Sequence, residues 1–142
     1  MEKLQNLWPA FGDTLVTPAS ILKAQAANLG ERTKNIVTAK VDTAPIEFKG
    51  LPQFPFKDKG FKHNFIIVAP ALGNYTYRLF SAYNDFELYP VCISLRGNFE
   101  DPLETGGFIR SDDQDQFLQN LKNIFEDPKT IKIIQTLLSQ SR

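Results

Sequence analysis

The sequence predicts an α+β fold with a helix at the amino end, an antiparallel β-meander of about four to five strands, and two helices at the carboxyl end. Three observations carry that expectation. Residues 17–30 and 111–140 hold apolar positions at helical spacing behind capping signals. Residues 35–95 hold β-branched and aromatic runs cut by turn residues. The connections between those runs are short, which favours strands that pair with their sequence neighbours.

The chain has 142 residues, which fits one domain over 1–142 and allows roughly 68–70% of the extended surface to be buried. Sixteen basic residues balance sixteen acidic ones, so the phosphate-neutralising excess of a nucleic-acid binder is missing from the totals. Cys92 is the lone cysteine, so no disulfide forms within the chain and a reducing, cytoplasmic setting is expected. No run approaches the roughly 18 apolar residues of a membrane span.

Residues 1–13 read as an arm. Leu4, Leu7, Trp8 and Phe11 keep the i, i+3, i+4, i+7 spacing of a helix face, but Pro9 interrupts it. The expectation is a short turn whose Trp8 and Phe11 plug the chain's own core, the alternative being a contact with a second subunit. Thr17-Pro18 then starts a helix that Gly30 should end. Residues 35–44 alternate as the first strand, with Pro45 closing it. Residues 51–60, LPQFPFKDKG, form a loop, and 61–71, 75–83 and 86–95 supply further strands. Asp101-Pro102 and Gly106-Gly107 mark turns. Ser111 opens the next helix with Gln114 as its capping-box partner, and Asp127-Pro128 opens the last.

A two-residue loop at Asn84-Asp85 would place Phe80 opposite Tyr89 and Tyr77 opposite Cys92. Both faces of that hairpin are then apolar. The cover for the second face could come from helices on opposite sides, from loop 51–60 folding back as a lid, or from a partner. Pro90 cannot donate to a ladder, so its strand is expected at an edge or a bulge.

Chemistry-bearing patterns are weak. His63 and Cys92 are the sole imidazole and thiol, but that register separates them by roughly 16 Å along the ladder. The run Asp112, Asp113, Asp115 lacks a calcium loop's spacing and is explained by helix capping. Gly106-Gly107 lacks the Lys-Ser/Thr of a phosphate loop. Pro52 and Pro55 make a chance-level P-x-x-P, and Lys57, Lys59 and Lys62 near Phe54, Phe56 and Phe61 resemble only loosely a stacking surface for single strands. No metal or cofactor is called for.

All four tyrosines fall between residues 75 and 89. Tyrosine offers a large rigid surface with a polar tip, which suits interfaces. The sequence therefore points to a non-enzymatic, adaptor-type protein-binding module, expected to be homodimeric, with Trp8, Phe11, Tyr75, Tyr77, Phe80, Tyr83 and Tyr89 as its contact set. The alternative is a carrier or sensor of a small apolar ligand, with a pocket between sheet and helices lined by Phe65, Ile67 and Tyr77. An enzyme using Arg78, Tyr77 and Glu87 ranks third.

Overall fold

The computed structural model describes residues 4–12, 15–95 and 108–142. Helix α1 spans Pro18–Arg32, and its start follows from Thr17. The Thr17 side chain accepts from the Ser20 amide at 3.1 Å while Ser20 Oγ accepts from the Thr17 amide at 2.9 Å. Gly30 does not end this helix. It lies inside the last turn, where an added Cβ would come within 2.9 Å of Asn35 Oδ1. The chain reverses instead through Lys34 and Asn35, both left-handed with φ of 54° and 63°.

Five strands follow: β1 Thr38–Glu47, β2 Lys59–Ala69, β3 Tyr75–Asp85, β4 Val91–Ser94 and β5 Ile109–Ser111. They form one antiparallel sheet in the order of the sequence. Pro45 does not close β1 but sits within it, which the strand tolerates because it is an edge. Helices α2, Gln114–Glu126, and α3, Pro128–Gln140, complete the fold. Asp127 caps α3 as expected, accepting from the Lys129 amide at 2.9 Å. The α2 cap falls two residues later than expected, at Asp113, which accepts from the Gln116 amide. Ser111 ends β5 fully buried and accepts from Asn120 Nδ2 at 2.9 Å, so it is spent on the sheet.

The link between β3 and β4 is longer than two residues. Phe86–Pro90 make the turn, with Leu88 at φ 73° and a cis bond before Pro90. The true register pairs Ala82 with Ile93 and Tyr83 with Cys92. Phe80 and Tyr89 are therefore not partners. Nor is β4 an edge, since it pairs with β3 and β5. Pro90 is accommodated by lying just before the strand, where its missing N–H removes no ladder bond.

All three helices lie on one face of the sheet, which corrects the expectation that they could cover two. Ile21, Leu22 and Ala26 of α1, Phe117, Leu121 and Ile124 of α2, and Leu137 of α3 join Phe65, Ile67, Phe80 and Ile93 in one core. Phe65 and Phe80 stack at 5.1 Å, and both rings meet Phe125. A bulge makes Leu79 the extra residue of β3: Phe65 pairs with Phe80, and the next ladder step joins Ile66 to Arg78. Leu79 and Phe80 are therefore both buried in this core, despite being adjacent.

The second face is closed at one end by residues 48–58. Phe48, Phe54 and Phe56 fold back over Ile46, Tyr83 and Cys92, with Phe108 alongside. Phe48 packs 4.6 Å from Phe56 and 5.0 Å from Phe54. Gly60 makes this possible, because a Cβ there would stand 2.5 Å from both the Phe48 ring and the Asn84 carbonyl. The Phe48 amide donates to Asp58 O at 2.8 Å and ties the base of the loop. The other end of this face is mixed: Ile66 and Val68 are half-buried, while the Asn64–Ser81 pair is polar, with Ser81 Oγ donating to Asn64 Oδ1 at 2.6 Å. The turn positions Asp101-Pro102 and Gly106-Gly107 lie outside the described residues.

Candidate functional site

The lone imidazole and thiol are nearer than the expected register allowed, and still cannot meet. His63 pairs with Ala82 and Ala82 with Ile93, next to the Tyr83–Cys92 pair. That leaves about two strand spacings, roughly 10 Å, between their backbones. Opposite faces decide the matter, since His63 points to the helix side and Cys92 into the Phe48 cluster. Burial pushes the Cys92 thiol up, away from the reactive thiolate, although Arg110 opposes it. His63 is 3% exposed and fully engaged, with Thr43 Oγ1 at 2.9 Å from Nδ1 and Asn84 Oδ1 at 2.6 Å from Nε2.

The other chemical candidates also disperse. Arg78 shares the second face with Ile66, Tyr77 shares the helix face with Ile67, and Glu87 lies in the β3–β4 turn. Phe54 and Phe56 turn inward around Phe48, so they offer no stacking platform beside Lys57 and Lys59. Lys62 sits over the Tyr83 ring at 5.8 Å. Among the described residues, no three His, Cys, Asp or Glu gather as metal ligands, and no helix is long and apolar enough to cross a membrane.

The seven candidate contact residues separate into distinct environments. Phe80 has no exposed surface and belongs to the core, so any contact surface must be drawn without it. Tyr83 lies in the second-face cluster, within 4.7 Å of the Phe54 ring. Tyr89 packs edge-on to Phe117, and its hydroxyl is buried with no hydrogen-bond partner among the described residues. That burial, with the Asp113 carboxylate nearby, raises its pKa. Tyr77 is half-buried against the helices, and Tyr75 is half exposed at the start of β3.

Trp8 and Phe11 behave differently. The expectation that they plug the chain's own core is overturned: they are 75% and 76% exposed and touch each other, with ring centroids 6.2 Å apart. Leu4, Leu7, Leu15 and Val16 are also exposed. Residues 4–12 form no helix. Pro9 supplies the reason, since it removes an amide and holds Trp8 out of helical geometry. The apolar stripe is therefore never assembled against the body.

A cleft opens on the helix side between α1 and the α2–α3 pair. It holds about 390 Å³, with Phe65, Ile67 and Leu79 as its floor, Leu29 on one wall and Phe125 and Ile134 on the other. A second hollow of about 300 Å³ adjoins it through Leu79 and Thr130 and includes Tyr77 and Leu95. The sequence signal for the cleft was partial: Phe65 and Ile67 line it, while Tyr77 lines its neighbour.

No family model, curated protein or solved structure matches this chain.

Proposed function

We propose that this chain is a non-enzymatic protein-binding module that acts as a homodimer through its amino-terminal arm. One observation carries the reading: Leu4, Leu7, Trp8, Phe11, Leu15 and Val16 are six large apolar side chains within thirteen residues, 60–91% exposed. Scattered surface hydrophobes are ordinary, but six concentrated in so short a segment offer the apolar surface of an interaction site. Tyr75, half exposed on β3, is the remaining surface member of the tyrosine group. Catalysis has less support, since the titratable groups described above do not converge on a shared cleft.

Trp8 is the only tryptophan, so it reports directly on this surface. Native mass spectrometry of the full chain should give twice the 16.1 kDa mass, and Trp8 emission should shift to the blue with the same concentration midpoint. The double variant Trp8→Ser/Phe11→Ser should be monomeric with an unchanged far-ultraviolet spectrum. A wild-type chain that stays monomeric up to high micromolar concentration, with solvent-exposed Trp8 throughout, would remove the basis of the proposal.

The cleft favours a second reading, a carrier or sensor of a small apolar ligand. Its volume and its apolar floor suit such a guest. A monomer that retains a small organic molecule under native conditions would move this reading ahead of the first.

A further inference from the structure

We infer that the arm of one copy seats its Trp8–Phe11 ring pair in the α1–α3 cleft of a second copy, reciprocally, so that the dimer closes by arm exchange. This rests on the homodimer reading above and adds the surface that receives the arm.

Size is the first argument. A dry apolar cavity of about 150 Å³ accepts a benzene-sized guest. The cleft of about 390 Å³ therefore has room for two ring-sized groups. Trp8 and Phe11 already sit as neighbouring rings at 6.2 Å, so they can enter as a unit. The floor they would meet is apolar, made of Phe65, Ile67 and Leu79.

Reach is the second. From Trp8 to Pro18 the chain spans at most about 33 Å when extended. Asn28, on the rim of the cleft, is only about 15 Å along α1 from Pro18. A chain's own cleft is within range too, but among the described residues the single chain leaves the apolar side chains of the arm exposed. The arm is therefore uncovered in one copy and long enough to cross to another.

Area is the third. The two rings and two leucines of one arm offer roughly 500 Å² for burial. Two arms, with the cleft surface they cover, remove roughly 1,200 Å² from water, at the lower end of the 1,200–2,000 Å² typical of specific interfaces. Reciprocal exchange also satisfies the closed two-fold symmetry that limits assembly to a dimer.

The test is cross-linking between singly substituted chains. An isotope-labelled Ala10→Cys chain is mixed with an unlabelled Asn28→Cys chain and treated with a short bismaleimide. Cys92 is 2% exposed and does not compete. The expected main product is the mixed 10–28 dimer, with little product when Lys40→Cys, on the opposite face, replaces Asn28→Cys. Equal yields at 28 and 40 would overturn the cleft assignment. So would an Ala10→Cys/Asn28→Cys chain that closes on itself as a cross-linked monomer. A wild-type dimer with no 10–28 product would discard the cleft and leave the arm reading intact. A wild-type monomer would discard both.

Discussion

At His63 the hydrogen bonds fix the tautomer of the neutral ring. Asn84 Oδ1 can only accept, and the Asn84 amide nitrogen donates to Asp85 O, so Nε2 of the imidazole carries the hydrogen. Nδ1 is then free to accept from Thr43 Oγ1, and the ring is satisfied while neutral. Burial is the main cause that lowers its pKa; the Asn84 bond opposes that shift, and the Lys23 ammonium adds to it. A base held below its ordinary value binds its proton more weakly folded than unfolded. The stability contributed is therefore complete above the ordinary value of 6.5 and is lost as pH falls through 6.5 towards the folded value. The urea midpoint should drop between about pH 7.5 and about pH 5.5, a window in which ordinary carboxylates stay mostly ionised. A His63→Gln chain should lose most of that slope. Identical slopes in the two proteins would show that other groups govern the acid response.

At the scale of elements, the loop over 48–58 is a satellite core with its own support. Phe48 is 1% exposed, and its ring lies over Gly60 where no side chain could be placed. Truncating a buried phenylalanine to alanine costs about 3–5 kcal/mol in a main core. Here the loss should first show as opening of the loop, because its contacts are separate from those under the helices. Trypsin should cut a Phe48→Ala chain after Lys57 or Lys59 well before the remainder is digested, and the wild type should resist at both. Equal cutting in both chains would mean the aromatic cluster does not hold the loop down. The sequence showed the apolar surplus of 76–95 plainly, along with the loop able to cover part of it. It could not show the bulge at Leu79, which returns two adjacent apolar residues to one side, nor the five-residue turn that shifts Cys92 from Tyr77 to Tyr83. Side-chain parity changes with a single inserted residue, and no local signal in Arg78-Leu79-Phe80 marks the insertion.

For the molecule as a whole, element order was legible and the assignment of faces was not. Capping pairs such as Thr17-Pro18 and Asp127-Pro128 act within a few residues, so they can be read locally. Whether α1 and the α2–α3 pair share a face depends on contacts between residues far apart in sequence, such as Leu22 and Phe117 in one core. The arm obeys the same rule, since apolar spacing states that Trp8 and Phe11 need cover without saying whose, and the chain's own core does not supply it. Sharing one face makes both helical units necessary. A chain ending at Asp112, before α2, should lack cooperative unfolding and bind apolar dyes strongly. If that fragment instead melts cooperatively, α1 alone suffices to cover the sheet.

The order of strands, each beside its neighbour in the chain, bears on how the protein is made. During synthesis α1 and β1 through β4 can emerge and pair in turn, each finding its partner already present. The residues that cover the far half of their inner surface, Phe117 to Leu137, come last. At about 5–20 residues per second, translation from Ser94 to Leu137 takes roughly 2–9 s. For those seconds Phe80 and Ile93 have no roof. Until α2 and α3 have emerged, the nascent chain is thus the form of this protein most in need of a chaperone.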